Sequence, residues 1–363
     1  FTVYIKITDL AGNYTYISTN GLIVDHNAPL EETVAPEVTV EPEQPVNGLY
    51  NGDVKVDIKV VDPLVGGTYS GLNKIWYEVR NMGEVTQGGE DKPLYEFRET
   101  DPKQEDLLQT WSGSITVDSR LNNSNDVEII VYAQDNSLNG SDKTVAIKID
   151  ITKPTILVSY DNNSTDSDTF FKDDRTATVV VTERNFDPKD VVVTITNTDG
   201  VVPVISEFTK TNEGTGNKDD AQWTATIKYS ADGDYTFDIA YTDLAKNVCN
   251  GETFTGGTVA SNEFTIDHTI PVIAVSYDNN DVQNSNYYKA YRTATVVITE
   301  HNFNAERVTI THTATDDGAE TTKPTISGWK TDGDKHTATI YYGKDAKYTF
   351  DIAVNDKAGN ASA

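Results

Sequence analysis

The groups in this chain that could do chemistry are 57 carboxylates, five histidines and one cysteine among 363 residues. Catalysis needs such groups to converge, one positioned against another. The histidines are scattered. His26 and His268 sit at junctions between repeated units, His301 follows a strand-like block, and His312 and His336 lie inside such blocks. Cys249 has no partner for a disulfide within the chain and no C-x-x-C neighbour, so it reads as a buried or incidental thiol.

Two patterns carry enough oxygen to suggest a cation. The run DNNSTDSD from Asp161 has the composition of a calcium loop but lacks the Gly at the sixth place and the closing Glu of an EF-hand. The second pattern is the end of DYTFDIAYTDLAKN and KYTFDIAVNDKAGN, which also closes the opening phrase FTVYIKITDLAGN. Its Asp can bond its own backbone two residues on, and Gly or Asn accepts the left-handed conformation that a tight reversal demands. Asp9, Gly12 and Asn13 fill this role first, and Asp356, Gly359 and Asn360 last. In the copy at Asp243, Lys246 replaces the Gly, leaving Asn247 to take the positive φ. Calcium wants about six to eight oxygens, and one Asp with one Asn per turn falls short. The phrase reads as turn chemistry, with a metal ligand as the alternative; no catalytic, cofactor or metal residue is assigned, and calcium is the one cofactor weighed.

A formal net charge of −28 repels nucleic acid and anionic membrane surfaces alike. No apolar run approaches the roughly 18 residues of a membrane span, and no charged-then-apolar leader opens the sequence.

The elements that carry these residues are repeated. RTATVVVTERNF at Arg175 recurs as RTATVVITEHNF at Arg292, and VSYDNN ending at Asn163 recurs ending at Asn280, at one common offset. WTATIKY at Trp223 and HTATIYY at His336 follow at a shorter offset, so loops vary while strand-like blocks persist. Aligned in this way, His301 is matched by Arg184 and His336 by Trp223, which removes a shared catalytic role. VDHNAPLE at Val24, IDITKPTI at Ile149 and IDHTIPVI at Ile266 each place a Pro four residues after an Asp, marking where one unit's last strand gives way to the next. The expected units are 1–25, the closing strands of a truncated module; 26–36, a Pro-rich acidic linker; modules at 37–151 and 152–268; and 269–363, a module without its last strand. The sequence reads as a stretch of a longer array.

Within the blocks, apolar and polar residues alternate strictly. Ala294, Val296 and Ile298 point one way and Thr293, Thr295 and Thr299 the other; Tyr348, Phe350, Ile352 and Val354 form a second inward set. No stretch has helical periodicity. Short strands separated by Asn, Asp and Gly clusters predict an all-β fold, tandem immunoglobulin-like antiparallel β-sandwiches in an elongated array. Tyr235 and Tyr348, each at the start of the sixth strand, stand where a tyrosine corner returns its hydroxyl to nearby backbone.

YYKAYRTATVVITEHNF, YTFDIAVNDKAGN and the junction IDITKPTI together resemble the Ig-like repeats of large secreted or cell-wall-attached surface proteins of Gram-positive gut Firmicutes; SGLNKIWYEV resembles a strand of related bacterial Ig-like domains. The resemblance spans essentially the whole chain. It implies an extracellular, adhesin-like, non-enzymatic protein, or accessory modules of a large secreted glycan-degrading enzyme, and some proteins of this kind resemble binders of host immunoglobulin. It also raises an intramolecular isopeptide bond, which needs a Lys, an Asn and an acid in an apolar core. Lys172 and Lys289 align, as do Glu183 and Glu300, and Asn247 and Asn360, but alternation puts neither Glu clearly inside.

A partner should bind where the repeat pattern breaks. The middle of the first complete module, NMGEVTQGGEDKPLYEFRETDPKQEDLLQTW, has no counterpart, and in KIWYEV alternation buries Ile75, Tyr77 and Val79 and leaves Trp76 outward. The last module places Tyr287, Tyr291 and Tyr341 on outward positions, with Lys228 in the place of Tyr341 in its neighbour. Exposed aromatics suit a protein partner or the faces of sugar rings. These four residues are the partner-binding candidates, for a host extracellular protein such as immunoglobulin or for a glycan. Pro154 and Pro271 leave no spare residues at the joints, which predicts a stiff monomeric rod.

Overall fold

The computed structural model describes residues 4–8, 10, 13–18, 34–98, 106–165, 167, 169–215, 220–249, 252–254 and 262–363. Asp9, Gly12, Asp25, His26, Asp166 and Asp168 lie outside them.

The described chain is built of mainly antiparallel sheets, with Thr155–Tyr160 parallel to Glu252–Phe254 and Phe170–Phe171 parallel to Glu263–Ile266, and strands at Tyr4–Thr8 and Tyr14–Ser18 form a hairpin ahead of three β-sandwiches. In the first sandwich, Glu37–Pro42, Val54–Val61 and Thr110–Val117 make one sheet, and Gly140–Ile147, Val127–Asp135, Leu72–Asn81 and Glu84–Gly88 the other. Val54, Val56, Ile58 and Val60 alternate with exposed Lys55, Asp57 and Lys59, and they meet Ile75, Val79, Ile129 and Val131 of the opposite sheet in one apolar core. This is the physical content of a period of two: one face buries its methyl groups and the other stays in water.

The second sandwich sets Thr209–Asn212, Gln222–Tyr229, Arg175–Thr182 and Thr155–Tyr160 against Glu263–Ile266, Gly233–Tyr241 and Val191–Asn197. Its core is rich in rings, Tyr160, Phe171, Tyr229, Tyr235, Phe237, Tyr241 and Phe264. The third sets Val272–Tyr277, Arg292–Thr299 and Lys335–Tyr342 against Val308–Asp316 and Lys347–Val354. The expected inward set holds, with Val354 buried and Tyr348, Phe350 and Ile352 packed half-buried on the core. Both tyrosine corners form: the Tyr235 hydroxyl donates to the Ala231 carbonyl at 2.8 Å, and that of Tyr348 to Lys344 at 2.9 Å.

Arg175, the first residue of the repeated RTATVV block, is fully buried with its guanidinium over the rings of Tyr160, Phe171 and Phe264 at 3.7, 4.0 and 4.7 Å. Burial pulls its pKa down to about 10, so it stays charged at neutral pH. The DNN run supplies its polar partners: Nε donates to the Asn162 carbonyl at 2.8 Å and Nη2 to Asn163 Oδ1 at 3.0 Å. Asp161 Oδ1 accepts the Thr176 amide at 2.7 Å. This part of the loop is thereby committed to holding an arginine.

Two expectations are corrected. In the turn after Tyr241 it is Lys246, at φ 73°, that takes the left-handed conformation, as Gly359 does at φ 90° in the next copy; Asn247 is needed elsewhere. Glu183 and Glu300 are both buried, because alternation continues one step past Arg175–Thr182 and Arg292–Thr299, from Val181 and Ile298 inward to the acid. Lys172 and Lys289 are exposed, which removes the buried lysine that an isopeptide bond requires.

Candidate functional site

The phrase that recurs at the end of each sandwich does its work at the joints. In the second sandwich, Asp243 Oδ1 accepts the Asn247 amide at 2.7 Å and Oδ2 accepts the Asn247 side chain at 2.9 Å, which closes the turn through a residue four on from the Asp where the sequence pointed two residues on. The same Asn247 Nδ2 donates to the carbonyl of Asp150, the last-strand Asp of the preceding sandwich, at 2.9 Å. The third sandwich repeats the set: Asn360 bonds both oxygens of Asp356 and donates to the Asp267 carbonyl at 2.7 Å. A turn motif is thus also the clasp between successive sandwiches.

Each clasp gathers three carboxylates, one from the preceding sandwich and two from the following one. Asp150, Glu183 and Asp243 form the first set, Asp267, Glu300 and Asp356 the second; all six are buried, and in each set the facing oxygens lie within 4.8 Å of one another. Asn185 and Asn302 reach back to the first member, donating to Asp150 Oδ2 at 2.6 Å and to Asp267 Oδ2 at 2.8 Å. The frame begins again in the first sandwich, where buried Asp62 follows its strand as Glu183 and Glu300 do, and buried Asp135 starts its turn. The corresponding Asp25 lies outside the described residues.

The two complete sets differ in how their charge is met. At the first, the Arg184 side chain is 3% exposed, and its Nη2 lies 3.6 Å from Asp150 Oδ1 and 3.0 Å from the Ile149 carbonyl, an internal cation laid across the joint. At the second, His301 takes that position and turns to solvent, its side chain 72% exposed and paired with Asp334 at 2.9 Å. Among the described residues no ion pair reaches Asp267, Glu300 or Asp356. Lys357, beside Asp356, extends its ammonium over the Phe170 ring at 5.0 Å, and Arg307 Nη1 holds the main-chain carbonyl of Asp356 at 3.1 Å. Burial pushes the Glu300 carboxyl up to about 7 and raises that of Asp267 as well, in each case with neighbouring carboxylates adding to the effect.

The four partner-binding candidates stand apart from the joints. Trp76 lies on the outer face of its sheet and is half-buried, its ring stacked on Tyr132 at 5.0 Å with the Lys74 ammonium 5.6 Å from its centre. Ile75 and Val79 are buried behind it and Tyr77 packs partly on the core. Tyr287, Tyr291 and Tyr341 are 74%, 69% and 47% exposed. Tyr291 and Tyr341 meet edge to face at 5.9 Å, and Tyr291 also lines a shallow recess with Asp278, Asn279, Asp281 and Lys289. Tyr287 belongs to a separate short hairpin, Val282–Asn284 with Tyr287–Tyr288. In the second sandwich the place of the Tyr291–Tyr341 contact is taken by an Asp174–Lys228 ion pair at 2.8 Å, and His268 of the following joint reaches Asp174 at 3.2 Å.

The carboxylate sets are what the sequence reading missed. The signal was present, because an acid follows the same strand in every copy and another starts every turn, but the third member comes from the preceding sandwich and only the joint brings it in.

No family model matches the chain, and no curated protein sequence matches it. Among solved structures it is similar to the crystal structure of invasin, a bacterial integrin-binding protein, at 14% identity and a TM-score of 0.37, over 89% of this chain and 57% of that one. It is also similar to an I-band fragment of titin at 10% identity and a TM-score of 0.37, over 90% of this chain and 95% of that one. A variant of the same three-domain titin fragment matches at 10% identity and a TM-score of 0.38, over 91% and 96%. In its own sheets and cores the chain is a series of tandem Ig-like β-sandwiches.

Proposed function

We propose that the chain is a non-catalytic segment of an extracellular bacterial surface protein that displays aromatic side chains to a host protein, immunoglobulin being the first candidate through the family resemblance. The observation that carries this reading is the Tyr291–Tyr341 contact, two tyrosines 69% and 47% exposed where the neighbouring sandwich has an ion pair. Tyrosine brings a large rigid face and a hydroxyl at small entropic cost, which suits a protein interface. Trp76 on Tyr132 offers a second aromatic face on the first sandwich. The acidic character of the chain directs it away from nucleic acid and anionic membrane, and no described helix is long and apolar enough to cross a membrane.

The test is biolayer interferometry of the chain against purified immunoglobulin and against fractionated mucosal secretion proteins. The expected result is saturable binding that Tyr291→Ala with Tyr341→Ala, or Trp76→Ala, weakens by roughly tenfold or more. Failure of the unaltered chain to bind any of them contradicts the proposal.

A second reading is a structural spacer in a large secreted glycan-degrading enzyme. It is favoured by the contact of His268 with Asp174, which makes the matching corner of the second sandwich part of a joint rather than a free face. On that reading Tyr291 and Tyr341 serve packing between neighbouring sandwiches, and their alanine variants leave every binding signal unchanged.

A further inference from the structure

Three buried carboxylates with oxygens within 4.8 Å of one another are costly unless something positive joins them. At the first joint Arg184 Nη2 lies 3.6 Å from one of them, Asp150 Oδ1. At the second, His301 is turned away and paired with Asp334, and Arg307 Nη1 holds the main-chain carbonyl of Asp356 at 3.1 Å. The hydrogen-bond accounting of this second set leaves one atom over. Asp267 accepts from Asn302 and Thr269, Asp356 accepts twice from Asn360, and Glu300 Oε1 accepts the Asn302 amide at 2.7 Å. Glu300 Oε2 is buried with no hydrogen-bond partner, on a side chain whose residue is only 3% exposed and whose carboxylate faces Asp267 and Asp356. With all three acids ionised, a buried acceptor aimed at two other acids has no donor to meet it.

We propose that the joint between the second and third sandwiches takes up one divalent cation, calcium by the chemistry of its ligands, through Asp267, Glu300 and Asp356. Oxygens bound to one calcium at about 2.3–2.6 Å lie at most about 5 Å apart, which the second set already satisfies. All three donors are hard carboxylates with no imidazole or thiolate among them, which disfavours zinc and copper. Magnesium demands a small octahedron and gives up water reluctantly, whereas calcium accepts an irregular set completed by solvent and main-chain oxygens. Because Asp267 belongs to one sandwich and Glu300 and Asp356 to the next, the ion would fasten the joint where Arg184 fastens the other. One joint is closed by a covalently attached cation and its neighbour by a dissociable one, so stiffness at the second would follow the calcium concentration.

The experiment is titration calorimetry of the chelator-treated full chain with calcium chloride, with magnesium chloride as the comparison, alongside melting curves. The expected result is one saturable calcium site and a melting midpoint raised by about 5 °C or more at saturation. Glu300→Gln should weaken uptake by about tenfold or more, since affinity follows the number of charged ligands. His301→Arg keeps all three acids and supplies the guanidinium that Arg184 provides at the other joint, so it should abolish uptake while raising the melting midpoint in chelator. This second variant keeps the test decisive if Glu300→Gln fails to fold. Absence of calcium uptake by the unaltered chain, or full affinity retained in either folded variant, overturns the proposal.

Discussion

Trp223 and His336 occupy the same place in successive sandwiches, and each directs a ring nitrogen at the main-chain carbonyl of the buried glutamate of its joint: Trp223 Nε1 lies 3.2 Å from the Glu183 carbonyl and His336 Nε2 2.8 Å from that of Glu300. His336 Nδ1 lies 2.9 Å from the Thr331 hydroxyl, so a neutral ring with its proton on Nε2 satisfies both contacts. The Phe186 ring packs on Trp223 at 5.1 Å and the Phe303 ring on His336 at 3.9 Å. Two dissimilar residues therefore answer one requirement, a planar donor that holds the acid-bearing turn in place.

Replacing either ring nitrogen leaves a buried carbonyl without its donor. Trp223→Phe and His336→Phe should each destabilise their own sandwich by about 1–3 kcal/mol. Calorimetric melting, with each sandwich resolved as its own transition, checks this. A change below about 0.5 kcal/mol in both would mean that the ring nitrogens are incidental to the joint.

Arg175 and Arg292 start the same repeated block but differ in burial. Arg175 is fully buried among three rings, while Arg292 sits part-exposed between Tyr277 at 3.5 Å and Tyr288 at 3.9 Å. An ammonium cannot reproduce the flat, forked contact of a guanidinium over several rings. Arg175→Lys should therefore cost the second sandwich about 2 kcal/mol or more, and Arg292→Lys cost the third about 1 kcal/mol or less. Chemical denaturation of the paired variants measures the difference, and equal losses would contradict the assigned role of burial.

Much of this was legible in the sequence because it depends on local chemistry. Alternation in RTATVVITE located the strands, the recurring phrases counted the sandwiches, and Tyr235 and Tyr348 form the corners expected of them. What was not legible depends on contact between units. Asp150 and Asp267 read as junction residues, Glu183 and Glu300 as acids that alternation did not place clearly inside, and Asp243 and Asp356 as turn formers. The segments that carry them meet only when one sandwich docks on the next. The positive φ at Lys246 was missed for a related reason: Asn247 was given the strained position because its side chain tolerates it, whereas that side chain is committed to the Asp150 carbonyl across the joint.

Lys246 offers a direct check of that account. A lysine at φ 73° pays for a conformation that Gly359 adopts freely at φ 90°. Lys246→Gly should stabilise the second sandwich, or leave it unchanged, by up to about 1 kcal/mol, while Asn247→Gly should destabilise it by about 2 kcal/mol through loss of the clasp. Melting midpoints that moved in the opposite directions would place the strain at Asn247 instead.

The most direct measurement is a crystal structure of the chain grown in calcium, with a lanthanide-soaked crystal to locate the ion by anomalous scattering. One strong peak is expected at the second joint, within about 2.3–2.6 Å of oxygens from Asp267, Glu300 and Asp356. No comparable peak is expected at the first joint, where Arg184 already lies against Asp150. A second joint whose three carboxylates close on one another or on water, with no peak between them, would contradict the proposed calcium site.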